Sequence, residues 1–313
     1  MTTKSFFQTM SDGTEIAVNR WIPDNEPKAV IVISHGMSEH SLRYDRTASC
    51  FVEAGFLISA HDHRGHGRTA QKQLEKGQPG FGYLADKDGY KKVREDLLEV
   101  INQLKKEFPG KKIILLAHSF GSLIGQSFIE NHSSEIDLCI LCGSRGPQQG
   151  IARLGLFVTN IMYIFGRKKK LSKFLDKMIF GSYSERIKDP RTANDWLTKD
   201  ENIVDMYMSD SWCGFIMTTE FYHEMVKLCL DIHNPKNMKK IPEDLPVYII
   251  AGKEDPVGLY GKTLENLFSI YKKNGIKDVE LKLYENDRHE ILNETDYETV
   301  LKYANQTMKS VNE

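Results

Sequence analysis

Ala117-His118-Ser119-Phe120-Gly121 sits between two runs of different character. Before it, Lys112-Ile113-Ile114-Leu115-Leu116 is a short apolar run that reads as a buried strand. After it, Ser122 to Glu130 reads as a helix. A serine at a strand-to-helix turn, with small residues two before and two after it, has the pattern of a nucleophile elbow. The turn is tight, so bulk at either flank would clash, and its strain lifts the hydroxyl above the strand ends. The helix behind the serine offers free backbone N–H groups and a positive partial charge. Both suit an oxyanion forming as the serine attacks a carbonyl. Glycine is the usual residue at the first flank. Ala117 adds a methyl, which is tolerated only where the backbone does not need a glycine-only conformation.

The 313 residues suffice for one large domain, or for a core carrying a sizeable insertion. The chain is 40% apolar and 27% charged, in the range of globular proteins. A net charge of -1 argues against a polyanionic partner, so no nucleic acid is expected. The five cysteines are odd in number and widely spread, which argues against a disulfide framework. Cys139-Ile140-Leu141-Cys142 has redox or zinc half-site spacing, but it lies in an apolar run with no second pair. Buried structural thiols are expected there. Met1 to Ser11 is polar and does not read as a signal peptide. No run approaches the roughly 20 apolar residues of a membrane span. A cytoplasmic location is the expectation.

Strand-like and helical runs alternate along much of the chain. Ala29–Ser34, Phe56–Ala60, Ile136–Leu141, Leu245–Ala251 and Val279–Tyr284 read as strands. Asp96–Phe108, Lys262–Lys273 and Tyr297–Met308 read as helices. That alternation implies an α/β fold with a mostly parallel sheet flanked by helices. Lys4–Gln8 and Glu15–Trp21 flank Ser11-Asp12-Gly13, a hairpin-like turn that starts the sheet antiparallel. Between these parts lies a mostly helical interval rich in lysine, methionine and aromatics. It is read as a helical cap over residues 147–236, inserted into a core of residues 1–146 and 237–313. Within it, Leu154, Phe157, Val158, Ile161, Met162 and Phe165 fall at helical spacing, and Arg167-Lys168-Lys169-Lys170 follows. A transient lipid-surface contact through this cap is one reading. A cap helix packed on the core, with a solvated basic turn after it, is the preferred one.

An acylating serine needs a base, and the base needs an orienting acid. In a doubly wound sheet such groups sit beyond strand C-termini. Leu245–Ala251 runs into Gly252-Lys253-Glu254-Asp255-Pro256, and Asp255 is preferred to its neighbour Glu254 as the acid. Val279–Tyr284 runs into Glu285-Asn286-Asp287-Arg288-His289, which makes His289 the base. The order serine, acid, histidine is the one this pattern carries. The oxyanion donors expected are the N–H groups of Phe120 and Met37, the latter on the loop His35-Gly36-Met37-Ser38-Glu39-His40. Gly36 and His118 are expected to line the substrate site, while His35 and His40 shape the loop. His61-Asp62-His63-Arg64-Gly65-His66-Gly67 has the look of a metal cluster. Yet glycine stands where metallo-hydrolases with such a run place an acid before the third histidine. Its glycines suit a turn that braces the active-site loops, and no metal and no cofactor are expected.

Together these motifs resemble the α/β-hydrolases of the monoacylglycerol lipase and lysophospholipase group, related to the serine aminopeptidase-like hydrolases. The residues carrying the resemblance are 35–40 with Arg43-Tyr44, 62–67, 117–121, Asp255-Pro256 and Arg288-His289-Glu290. They reach across residues 35 to 290, nearly the whole chain. The resemblance implies a serine hydrolase that forms an acyl-enzyme from a single-chain acyl ester: a monoacylglycerol, a lysophospholipid or a simple ester. Two other readings stay open. One is an aminopeptidase or amidase of the same fold, the other a ligand-binding protein on a hydrolase scaffold. Chain-length preference and oligomeric state are left open.

Overall fold

The structure, a computed structural model, describes residues 1–309. β1 (Thr2–Thr9) and β2 (Glu15–Ile22) form the expected hairpin. Gly13 closes its turn at φ +81°, donating from its N–H to the Met10 carbonyl at 2.8 Å. In chain order there follow β3 (Val30–Ser34), α1 (Asp45–Glu53), β4 (Leu57–His61), α2 (Gly67–Glu75) and α3 (Gly89–Glu107). Next come β5 (Ile113–His118), α4 (Phe120–Asn131) and β6 (Leu138–Cys142). The helical interval holds α5 (Gln149–Ile164), α6 (Lys173–Phe180), α7 (Glu201–Ser209), α8 (Thr219–Ile232) and the short α9 (Pro235–Met238). The chain then completes β7 (Val247–Gly252), α10 (Lys262–Lys273), β8 (Val279–Tyr284) and α11 (Tyr297–Lys309). The eight strands make one sheet in the order β1-β2-β4-β3-β5-β6-β7-β8. Among them β2 alone runs against the others.

The period of two along β5 shows how both faces are filled. Ile113, Leu115 and Ala117 join the layer of α3, α4 and α10, with Val93, Leu97, Ile124 and Leu267. Ile114 and Leu116 join the opposite layer with Phe51 of α1 and Leu301 of α11. Burial on both faces explains the continuous apolar strands. Cys139 and Cys142 belong to opposite layers, so the pair shares neither a disulfide nor a metal. The helix expected over Asp96–Phe108 begins earlier, at Gly89, because Tyr90 and Val93 extend the same buried face.

The helical interval is uneven. Phe221, Tyr222, Leu228 and Ile232 of α8 belong to the main core cluster. α5 packs on α8 and buries Thr159, with Val158 and Met162 partly covered. α5 is thus packed on one face, as expected, while its other face stands open. There Leu154, Phe157 and Phe165 are 63%, 63% and 76% exposed, and Ile161 and Ile164 are exposed beside them. α5 carries apolar residues all round, and the neighbour it packs on most is α8. No helix among the described residues is long and apolar enough to cross a membrane.

Candidate active site

Ser119 sits at the β5–α4 junction with φ +54° and ψ −120°. A non-glycine residue rarely holds a positive φ, so the turn is strained as the elbow pattern requires. Its N–H donates to the Cys142 carbonyl at 3.0 Å, and its carbonyl accepts from the Ser122 N–H at 2.8 Å. A Cβ on Gly121 would lie 2.1 Å from the Ser34 carbonyl oxygen, so only glycine fits the second flank. Ala117, at the first flank, has no positive φ. Its methyl lies 2.9 Å from where a side chain on Gly125 would begin. The extra methyl at 117 is thus accommodated by the missing one at 125, one turn into α4.

Asp255 and His289 both lie just past strand ends, after β7 and β8. His289 Nδ1 is 2.9 Å from Asp255 Oδ2, and His289 Nε2 is 2.8 Å from Ser119 Oγ. The carboxylate accepts the Nδ1 proton, which leaves Nε2 free to accept from the serine hydroxyl. Asp255 is fully buried, and its other oxygen accepts from the Val257 N–H at 2.8 Å. Glu254 points elsewhere, to Lys199 at 3.4 Å and Arg288 at 3.9 Å. The structure therefore brings Asp255, and not Glu254, to the histidine.

The loop after β3 closes over the serine from the other side. A Cβ on Gly36 would lie 3.1 Å from Ser119 Cβ, so glycine permits this approach. Among the described residues neither the Met37 nor the Phe120 N–H donates to a protein acceptor. Both residues line the cavity with Gly36, His118 and Ser119. The loop is fastened by ion pairs that the sequence did not reveal. Arg43 bonds Glu290 through two nitrogens at 2.7 and 2.8 Å, and Glu39 at 2.7 Å. Glu39 Oε1 also accepts from the Tyr44 hydroxyl at 3.0 Å and the Gly36 N–H at 2.5 Å. Burial alone would raise the Glu39 carboxyl, but His118 and the Arg43 charge hold it well below the usual carboxylate range. Burial opposes charge on His118, yet its contact with Glu39 raises that ring above the ordinary histidine value. His118 also approaches the His289 carbonyl at 3.4 Å, so it braces His289 as well as lining the cavity.

The cavity measures about 330 Å³. Its walls are mainly apolar, with Phe120, Leu123, Ile179, Phe180, Phe215 and Val257 prominent. Trp196 packs on the His289 ring at 5.0 Å between centroids. Its carbonyl faces the His289 N–H at 3.4 Å, and the Leu197 carbonyl accepts from Glu290 N–H at 2.6 Å. Sequence reasoning gave no role to Trp196, Arg43 or Glu290. The paired Arg43-Tyr44 and His289-Glu290 motifs were the available signal for the latter two, and nothing local marks Trp196.

The histidine-rich run stacks behind the site. His35 and His63 lie 4.1 Å apart, and His66 packs 6.4 Å from Phe120. Burial pushes His35, His61, His63 and His66 below the ordinary range, with His61 and His66 at about 4. These rings are neutral packing elements. His35 Nε2 accepts from the His63 N–H at 3.0 Å and ties two loops together. Gly65 and Gly67 hold φ +74° and +48°. A Cβ on Gly65 would meet the Tyr83 backbone at 2.7 Å, and one on Gly67 the Asp62 carboxylate at 2.4 Å. His40 reaches away from the serine, to Asp210 Oδ2 at 2.8 Å.

The monoacylglycerol lipase of Mycolicibacterium smegmatis is 24% identical over 291 residues, 92% of this chain and 91% of that protein. A carboxyl esterase from Bacillus coagulans, solved with glycerol, superposes with a TM-score of 0.91 at 27% identity, covering 100% of both chains. A monoglyceride lipase from Saccharomyces cerevisiae, solved with a substrate analogue, superposes at 0.76 with 19% identity, covering 99% of this chain and 95% of that one. The family described as serine aminopeptidase, S33, matches residues 25–296. With the eight-stranded sheet and elbow in place, that span settles membership: the chain belongs to the serine aminopeptidase S33 family of α/β-hydrolases.

Proposed function

We propose that this carboxylic-ester hydrolase cleaves single-chain acyl esters through an acyl-enzyme on Ser119. Monoacylglycerols, lysophospholipids and simple acyl esters are its substrate class. The observation that carries the reading is the Ser119–His289–Asp255 chain, at 2.8 and 2.9 Å, opening into an apolar cavity. His289 Nε2 takes the hydroxyl proton as Oγ attacks the ester carbonyl, and Asp255 stabilises the imidazolium. The N–H groups of Met37 and Phe120 receive the oxyanion, each worth on the order of 3 kcal/mol. His289 then protonates the leaving alcohol and activates the water that releases the acid. Gly36 lets the ester reach the serine, and residues 147–236 form the cap that supplies most of the acyl wall.

A fluorophosphonate probe tests the nucleophile. Wild-type protein is expected to label and Ser119→Ala to stay dark. Labelling that persists in a clean Ser119→Ala preparation overturns the assignment. Folded wild type that never labels would favour a ligand-binding role instead.

The family description keeps a second reading alive, that of an aminopeptidase. Such an enzyme needs a free carboxylate to greet the substrate's amino terminus. Glu39 and Glu290 are already paired with Arg43, whereas Asp176 accepts from the neutral Tyr222 hydroxyl at 2.9 Å and has no cationic partner among the described residues. An amide substrate would therefore have to place its amino terminus on Asp176. A matched panel of aminoacyl amides and acyl esters decides it, and faster amide cleavage would reverse the ranking. The exposed apolar face of α5, followed by Arg167 to Lys170, supports a transient lipid-surface contact through the cap.

A further inference from the structure

Away from the serine, three side chains of metal-ligating type converge where the loop after β3 meets the segment before α8. One ligand atom from each of His40, Asp210 and Cys213 lies within 4.8 Å of the others. His40 and Cys213 are buried, and Asp210 is about one third exposed, which leaves an entry path from solvent. The turn holding two of the three is preformed. Asp210 Oδ1 accepts from the Trp212 N–H at 2.8 Å, and the Asp210 carbonyl accepts from the Cys213 N–H at 3.0 Å. Trp212 stands edge-on to the His40 ring at 5.2 Å and walls the cluster on one side.

We propose that His40, Asp210 and Cys213 form a zinc site that fastens the loop after β3 to the segment before α8. Imidazole, thiolate and carboxylate together suit Zn²⁺. Ligand atoms around tetrahedral zinc lie about 3.5 Å apart. His40 Nε2 and Asp210 Oδ2 are 2.8 Å apart while the three ligand atoms spread over as much as 4.8 Å, so the first pair separates and the wider spacing closes as the ion enters. The fourth position is taken by water on the Asp210 side. The local field favours a dication, because the nearby Arg43 is already offset by Glu39 and Glu290. On binding, the Cys213 thiol proton leaves to solvent, and the His40 proton moves from Nε2 to Nδ1. Nδ1 has no protein partner among the described residues. The hydrogen bond that usually orients a metal-bound histidine is therefore missing, and the affinity falls short of a closed structural zinc site. The consequence reaches the cavity. Gly214 N–H donates to the Ser38 carbonyl at 3.0 Å, and the Ser38 hydroxyl to the Phe215 carbonyl at 2.6 Å. Ser38, Gly214 and Phe215 all line the cavity, so the ion stiffens one side of its mouth.

Cobalt titration of the full reduced chain in metal-free buffer tests this directly. Co²⁺ bound to a thiolate shows a near-ultraviolet charge-transfer band, and tetrahedral geometry adds intense visible bands. Both are expected to saturate at one equivalent and to disappear on adding Zn²⁺. Cys213→Ser should abolish the charge-transfer band, and Asp210→Asn should weaken binding at least tenfold. Cys50→Ser, which alters the only thiol that is not buried among the described residues, should leave the titration unchanged. No band in the wild type, or a band that survives Cys213→Ser, overturns the site. Should Cys213→Ser fold poorly by circular dichroism, Asp210→Asn carries the test. Undiminished cobalt affinity in that variant likewise rejects the proposal.

Discussion

On the proposed mechanism, a small change at Asp255, which faces the His289 imidazole, is enough to stop the reaction. Asp255→Asn keeps the shape but offers an amide N–H where Nδ1–H now donates. The ring then turns over its tautomer and presents a proton, not a lone pair, to Ser119. Ester turnover should fall on the order of 10⁴-fold while binding of a non-hydrolysable analogue is kept. Near-normal turnover would show that another group orients the ring. The meeting of Ser119, Asp255 and His289 was legible in the sequence, because each follows an apolar strand; the roles proposed for them rest on chain order. Arg43, Glu290 and Trp196 were not legible as supports. An ion pair spanning residues 43 and 290, or a ring laid on His289, depends on tertiary placement that no local pattern encodes.

Among the elements, α4 stands out because it carries a carboxyl in the wrong place for its charge. Glu130 is 3% exposed, and neither oxygen has a hydrogen-bond partner among the described residues. Burial, then the charge of Asp231, push this carboxyl up to about 9. The folded chain therefore keeps a proton that the unfolded chain has released above about pH 4.5. Stability from this group is complete below that value and declines as pH rises towards 9. Glu130→Gln removes the penalty, so its melting temperature should exceed wild type by several degrees at pH 8 and by little at pH 5. Equal shifts at both pH values would place the cause elsewhere. The elements themselves were mostly legible, since buried strands and amphipathic helices announce themselves by period. α5 was the exception. Its apolar residues have the spacing of a packed helix, and which of them stay uncovered depends on tertiary placement against α8.

For the whole molecule, the histidines behind the site contribute to acid sensitivity. His61 and His66 are held neutral at about 4 by burial, whereas an unfolded histidine titrates near 6.5. Between those values the unfolded chain binds more protons, so stability is full above pH 6.5 and falls towards pH 4. Each ring costs on the order of 3 kcal/mol at the lower limit. Neither His61 nitrogen has a hydrogen-bond partner among the described residues. His61→Leu should therefore flatten the fall in melting temperature between pH 7 and pH 4.5, and an unchanged slope would exonerate that ring. The α5 surface makes a separate prediction. The protein should co-sediment with anionic vesicles and lose most of that binding in Phe157→Ser/Phe165→Ser. Absence of wild-type binding to both anionic and neutral vesicles ends the lipid-surface reading. Finally, the segment roofing the cavity also supplies the carbonyls of Trp196 and Leu197 to the loop of the base. If that roof lifts to admit a long acyl chain, His289 and Glu290 lose those partners at the same moment. Admission and cleavage then take turns, as in an airlock, and how often the door shuts sets the ceiling on throughput.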